Sequence, residues 1–418
     1  MADKKIRQCY LHIGSGKTGT TAIQTNFFRH RRHLRDISCF YPNNDANHIF
    51  MATRFREDPT EIAVHAKNGR ESKGLIAEYI DQEMQQFEKD LSNFTGDTLF
   101  LSSEYFPPTS PEGCKKLAEY LHGFCAKVTV ICYVRHPVSH AISAAQQSVK
   151  MGFSTLAERQ NASFFFKPAK ILPKFIDAFG RENIVVRPFD RKQLKDGNVV
   201  ADFLSLTGLS DDKKLASLPD NESNSSLSYE AALIANALTK ETPRTINGMW
   251  NPLRAKRVNL MKIPGARFGL GETATRRIIE ASKPELAYLK NEFSLHFENL
   301  KNNITDDPKA AWDDEAIQGL SRKFNALALE AQHAKAQAFY FRSQVAELNS
   351  DKALAIKFLK EANNLAPLDW DITKQLYLLL VEAGSQKDAQ GYLNRYSLLK
   401  PGDARTAELA KNADASIS

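Results

Sequence analysis

The sequence predicts an α/β fold with a mostly parallel central sheet, followed by an all-α, repeat-like C-terminal region. Three observations carry this. Short apolar, β-branched runs alternate with helix-compatible segments from residue 7 to residue 187. Two of those runs stop at groups that bind anions, a Gly/Lys/Thr turn and an Arg-His-Pro turn. From about residue 323 the chain becomes Ala- and Leu-rich and repeats features at a fixed offset. Alternation of strand and helix favours a parallel sheet with helices on both faces.

The first strand is expected over 7–13, and a helix over 22–34 follows the turn Gly14–Ser15–Gly16–Lys17–Thr18–Gly19–Thr20–Thr21. A helix over 72–91 leads to a strand over 98–102, which ends at Ser103–Glu104. A helix over 113–124 precedes Val128–Thr129–Val130–Ile131–Cys132–Tyr133–Val134, a run that suits a buried parallel strand. It stops at Arg135–His136–Pro137, where a helix over 138–149 begins. Another helix, over 170–178, leads to a strand over 184–187. Residues 241–270 carry Pro243, Gly248, Pro252, Pro264 and Gly265 among basic residues and predict long loops.

The first turn is where a strand hands over to a helix N-terminus, an arrangement that cradles phosphate with backbone N–H groups. Gly14, Gly16 and Gly19 let the backbone approach an anion, Lys17 adds a positive charge, and Thr18, Thr20 and Thr21 add hydroxyls. A nucleoside-triphosphate loop reads G-x-x-x-x-G-K-[ST]. Gly16–Lys17–Thr18 fits its end, but Leu11 stands where the first glycine belongs. Arg135 at a strand end and Ser143, eight residues on in the next helix, are placed to converge on a second phosphate.

Together these segments resemble the sulfotransferase family that uses 3′-phosphoadenosine 5′-phosphosulfate (PAPS), in particular bacterial carbohydrate-type members. Lys17–Thr18–Gly19–Thr20–Thr21 is similar to its 5′-phosphosulfate loop, and Arg135 with Ser143 to its 3′-phosphate site. Phe179–Gly180 through Arg187–Pro188–Phe189, Ala201–Asp202–Phe203–Leu204 and Asn224–Ser225–Ser226–Leu227–Ser228 extend the likeness over residues 6–240. Gly265–Gly271 lies where the cofactor-covering loop of the family falls, and its match is poor. The resemblance implies a P-loop-like three-layer fold over 1–322 and transfer of a sulfuryl group to a hydroxyl or amine. Gly14, Ser15, Gly16, Lys17, Thr18, Gly19, Thr20, Thr21, Arg135 and Ser143 would bind PAPS or its product, 3′,5′-adenosine bisphosphate.

In that chemistry Lys17 neutralises charge on the leaving oxygen, and most of the acceleration comes from alignment and electrostatics. Two groups are candidates for the base: Glu104, at a strand end facing the same crevice, and His48, in the Asn-rich loop 43–48. That loop equally suits sugar hydroxyls. His12 and His136 are expected to pack or hydrogen-bond. No metal is required, and no His/Asp/Glu cluster argues for one. The acceptor is expected to be a carbohydrate or another small molecule. A small-molecule kinase, favoured by Gly16–Lys17–Thr18, and a non-catalytic binding protein, favoured by the C-terminal repeats, remain the alternatives.

The 418 residues, 42% hydrophobic and 25% charged, describe a globular protein of more than one domain. Cys9, Cys39, Cys114, Cys125 and Cys132 form no C-x-x-C pair, and no window suits a membrane span. Met1–Lys5 runs directly into the first strand, so no signal peptide and a cytoplasmic location are expected. The net charge of +7 and the cluster Arg29–Arg35 invite a nucleic-acid reading, but no zinc spacing or RNA-binding motif accompanies them. The cluster instead suits the C-terminal end of the first helix. In the region 323–418, Pro367 and Pro401, Ala355 and Ala389, and Leu359 and Leu393 are each 34 apart. This resembles tetratricopeptide repeats, and two repeats are few for a free solenoid. The helices are therefore expected to dock on the first domain, on a protein partner or on another subunit.

Overall fold

The computed structural model describes residues 6–70, 72–161, 164–216, 227–246, 249–251, 266–297, 314–406 and 408–409. Five strands form one sheet: β1 (Ile6–His12), β2 (Cys39–Phe40), β3 (Thr98–Ser102), β4 (Cys125–Val134) and β5 (Ile184–Pro188). Their order is β2-β3-β1-β4-β5, and every neighbouring pair is parallel. Four strands fall where the apolar runs predict them. The two-residue β2 is too short to leave a periodic signal.

The principal helices of this region are α1 (Thr20–Arg29), α2 (Lys73–Ser92), α3 (Pro111–Phe124), α4 (Pro137–Lys150), α5 (Pro168–Phe179), α6 (Val199–Leu206), α7 (Tyr229–Glu241) and α8 (Glu272–Phe293). The helix expected over 22–34 is two helices. His30 lies between α1 and the short helix Arg31–Asp36, and its Nδ1 meets both the carbonyl and the side-chain oxygen of Asn26. A side chain that competes for a carbonyl in the last turn favours a break there. The basic cluster serves the fold: Arg31 bonds Asn43 and covers Phe28, Arg35 covers Phe40, and His33 meets Asp212.

Alternation within the strands sorts the two faces. Cys9, Leu11, Leu99, Leu101, Val128 and Val130 pack on one side against Ile76 and Phe87 of α2, Leu117 of α3 and Phe175 of α5. Tyr10, Phe100, Ile131 and Tyr133 pack on the other against Ile23 and Phe27 of α1 and Phe203 of α6. With both faces covered, β3 is buried throughout and β4 from Val130 to Val134, as parallel strands are. All five cysteines are buried and reduced. The chain leaves β1 toward β2 on one side and leaves β4 toward β5 on the other. Beyond the carboxyl ends of β1 and β4 lies the crevice where such sheets bind ligands.

The C-terminal region is all-helical: α9 (Asp314–Leu348), α10 (Lys352–Leu365), α11 (Trp370–Glu382) and α12 (Gln386–Leu399). The boundary at 322/323 falls inside α9, which packs on both α7 and α10. The 34-residue offset is geometric as well as sequential. Ala366 and Lys400 end α10 and α12 with nearly the same backbone angles, φ −131° and ψ 68° against φ −129° and ψ 73°. Ala355 and Ala389 are both fully buried, as are Leu359 and Leu393 to within 2%. A concavity of about 500 Å³ lies among Leu329, His333, Pro367, Trp370, Lys400 and Arg405, away from the sheet edge. Among the described residues, no helix is long and apolar enough to cross a membrane. Of the expected loops over 241–270, residues 247–248 and 252–265 lie outside the described residues, as do Asn224–Ser225–Ser226 of the serine-rich segment.

A polar knot ties β4 and β5 to α6. The buried Asp202 carboxylate accepts from Arg187 at 2.7 and 3.2 Å, from the Tyr133 hydroxyl at 2.8 Å and from the Lys195 amide at 3.1 Å. Burial pushes this carboxyl up, but the bonds from Arg187, Lys195 and Tyr133 outweigh burial and hold it below its ordinary 3.8. Its stabilisation is therefore complete above that value and lost as pH falls through the lower folded one. Asp202→Ala leaves Arg187 and Tyr133 without their partner and should cost about 3 kcal/mol in urea unfolding at pH 7. The gap from wild type should close below pH 4.

Candidate functional site

The turn after β1 is pinned by its carbonyls. Thr18 Oγ1 donates to the Ser15 carbonyl at 2.6 Å, His140 Nε2 to that of Gly16 at 3.0 Å, and Arg135 Nη1 to that of Lys17 at 3.4 Å. A trans peptide directs each carbonyl opposite to the next residue's N–H. The amides of Gly16, Lys17 and Thr18 are therefore each directed away from the donor that holds the preceding carbonyl. Lys17 and Gly19 have positive φ, 70° and 76°, the left-handed steps from which anion-binding nests are built. Ser15 Oγ donates to the Tyr133 carbonyl at 2.9 Å and anchors the turn to β4.

The hydroxyls expected to face a ligand therefore divide. Those of Ser15 and Thr18 point into the protein and brace the loop. Thr21 is exposed at the start of α1. Thr20 is 4% exposed, and its hydroxyl is buried without a partner at the N-terminus of α1. A methyl on Gly14 would come within 2.9 Å of that oxygen, whereas one on Gly16 would meet nothing within 4 Å. The loop is tight behind and open in front.

Cations crowd this opening. Lys17 donates to Gln147 Oε1 at 3.2 Å. Burial draws its ammonium below the ordinary lysine range, Lys150 and Arg135 push the same way, and Glu104 opposes them. Burial and neighbouring Arg267 likewise act against the charged Arg135, which lies over the Phe189 ring at 5.7 Å. Ser143 is half-buried on α4, which starts just beyond Arg135. Like charges this close repel, and an anion at their centre relieves the repulsion.

Glu104 follows β3 at the same edge. Its Oε2 accepts from Gln24 Nε2 at 3.1 Å, and Gln24 also reaches the Ser102 hydroxyl at 3.2 Å. His48 is placed differently. It is fully buried, its Nδ1 accepts the Ser102 amide at 3.0 Å, and its ring lies 4.4 Å from that of Tyr41. Burial, offset in part by the Pro42 carbonyl, lowers its pKa to about 3. The lone pair that would take a proton is occupied by Ser102. His12 is also fully buried, with Nδ1 on the Ser102 hydroxyl at 2.8 Å, and His136 caps α4 through Val138. Both are the packing and hydrogen-bonding residues that the sequence suggests.

The loop around His48 carries a network of its own. Asn44 donates to Glu83 Oε2 at 2.6 Å, the Tyr79 hydroxyl to Asp45 Oδ2 at 3.4 Å, and Arg70 lies 3.9 Å from the Tyr79 ring centre.

Residues that motif reading missed are His140, Gln147 and Lys150. With Ser143 they recur at 3-4-3 spacing on α4, a polar stripe along a helix otherwise rich in Ala, Val and Ile. That spacing places them on one helix face and was the available signal. Gln24 and Arg267 left no such mark. Arg267 is positioned by a bridge to Ser228 beyond β5.

No family model matches this chain, and no solved structure matches it. It is similar to an uncharacterized protein of Archaeoglobus fulgidus, 29% identical over 152 residues. The match covers 36% of this chain and 41% of that protein. Among the described residues, no group of three or more His, Cys, Asp or Glu side chains is placed to hold a metal.

Two variants separate a loop that binds from one that merely folds. Gly16→Ala has room and should leave the melting temperature unchanged while abolishing calorimetric binding of pyrophosphate. Gly19→Ala would place a methyl 2.6 Å from Val199 at φ 76° and should destabilise the protein by about 1–3 kcal/mol. His140 supplies a third test. Burial, opposed in part by the Gly16 carbonyl and reinforced by Arg135 and Lys17, lowers its pKa from 6.5 to about 4. The neutral ring's contribution is thus complete above pH 6.5 and lost as pH falls toward 4. The stability gap between wild type and His140→Phe should shrink across that window.

Proposed function

We propose that this protein is a PAPS-dependent sulfotransferase acting on a hydroxyl-bearing acceptor, built on a P-loop-like three-layer domain with a tetratricopeptide-like C-terminal region. The observation that carries the reading is the meeting of two anion sites at adjacent strand ends. One is the loop 14–21, with three pinned carbonyls. The other is Arg135, with Arg267 beside it. A ligand with anionic groups at both ends fits this pair better than a single phosphate does. The partnerless Thr20 hydroxyl and the open space before Gly16 support binding against the loop.

Lys17, Thr20, Thr21 and the loop amides would hold the 5′-phosphosulfate, and Arg135, Ser143 and Arg267 the 3′-phosphate. When bound, PAPS supplies an activated sulfuryl group whose transfer to the acceptor oxygen leaves 3′,5′-adenosine bisphosphate. Lys17 and the amides are positioned to stabilise charge on the departing phosphate oxygen. Glu104, oriented by Gln24, is the better base of the two candidates, because accepting a proton at His48 first requires breaking its bond to Ser102. The Asn44, Asp45, Tyr79 and Glu83 network lies among groups suited to hydroxyls and supports a sugar-like acceptor. The kinase alternative is weakened by Thr18: its hydroxyl, the expected Mg²⁺ ligand, is engaged with Ser15.

Calorimetry with 3′,5′-adenosine bisphosphate, 5′-AMP and ATP–Mg²⁺ tests this reading. Binding should require the 3′-phosphate, and Arg135→Ala should weaken it by about 10- to 100-fold. Lys17→Ala should lower transfer by about 100-fold or more. Glu104→Gln should lower kcat by about 100-fold or more with nucleotide binding intact. Preference for ATP–Mg²⁺ would replace the proposal with a kinase. Nucleotide binding with no transfer to any acceptor would replace it with a binding protein.

A further inference from the structure

Helix α9 packs on α7, with Ile317 and Ser321 buried near its N-terminus, and from Phe324 onward it has two apolar faces and uses one of them within the chain. Ala336, Ser343 and Ala346 are buried toward α10 and α11, where Gln332 reaches the Leu365 carbonyl and Gln337 reaches Asp369. On the opposite side stand Phe324, Leu327, Ala331, Ala334, Ala338, Phe341, Val345 and Leu348, and every one is exposed. Exposure reaches 52% at Leu327, 61% at Phe341, 57% at Val345 and 85% at Leu348.

The spacing of these eight residues is 3-4-3-4-3-4-3 without interruption. A core-facing stripe on a lone helix follows 3.6 residues per turn and drifts off a strict heptad. A seam held at 3.5 is the pattern of two supercoiled helices, with Phe324, Ala331, Ala338 and Val345 at a and the other four at d. Flanking charge then fixes the partner. Glu330 occupies a g position and Lys335 the following e position. In a parallel pair, g of one helix faces the following e of the other, so an identical helix brings Glu330 to Lys335 twice. In an antiparallel pair about the middle of the seam, the two copies of Lys335 would meet each other.

We propose that α9 forms a parallel two-stranded coiled coil with α9 of a second copy of this chain, making the protein a homodimer. The three central alanines let the helices approach closely, and the larger residues at both ends close the seam. The self-complementary stripe lies opposite the face bound to α10, so pairing requires no rearrangement of the C-terminal helices. The proposal is independent of the sulfuryl-transfer reading.

Sedimentation equilibrium on the full chain tests it. Wild type should show a concentration-dependent dimer. Phe341→Glu with Val345→Glu, both at exposed positions, should raise the dimer dissociation constant by about 100-fold or more without changing the circular dichroism spectrum. Glu330→Lys alone and Lys335→Glu alone should each weaken the dimer by about tenfold, and the two together should restore it. A wild-type monomer at 100 μM (about the concentration of a structural sample) would overturn the proposal, as would a dimer indifferent to the seam substitutions. A double charge swap that fails to restore pairing would overturn the parallel arrangement.

Discussion

The direction of three carbonyls governs the candidate site. Ser15, Gly16 and Lys17 each direct a carbonyl toward a donor fixed elsewhere in the fold: Thr18 within the turn, His140 on α4, and Arg135 at the end of β4. Peptide planarity then directs each following amide away from that donor. A turn of this shape without its donors would have many alternatives. With them, it couples the positions of β1, β4 and α4, and a shift of any one element alters the turn.

The same elements concentrate positive charge. After burial, Lys150 and Arg135 act against the charge of Lys17 and Arg267 against that of Arg135, while Glu104 favours the charge of Lys17. Such a cluster costs free energy in the unliganded protein. The packing of the sheet holds it in place: Tyr133, whose carbonyl anchors Ser15, also donates to Asp202, which in turn holds Arg187. One strand thus links the structural ion pair on one side to the turn after β1 on the other.

Histidines illustrate how environment divides chemically equal residues. His12, His48 and His140 are all buried and all lose basicity for that reason. His140 donates to the loop and so supports it. His48 accepts from the backbone amide of Ser102 at the end of β3, which removes it from proton transfer in this conformation. The sequence offers no means to distinguish these roles, since each depends on which ring nitrogen meets which partner across a long separation in the chain.

By itself, the sequence determined the alternation of four strands with their helices, the placement of Lys17, Glu104 and Arg135 at strand ends and the 34-residue offset in the C-terminal helices. These follow from local periodicity and turn chemistry, which act over a few residues. Only the tertiary structure decided the strand order, the break at His30, the short strand β2 and the inward turn of the Ser15 and Thr18 hydroxyls. It also brought His140, Gln147 and Arg267 to the loop and left one face of α9 open. Most of those features depend on contacts between segments far apart in the chain, such as Ser15 with Tyr133 and His140 with Gly16, whose partners no local pattern names; the break at His30 and the Thr18 bond to Ser15 are local, and side-chain geometry rather than periodicity sets them.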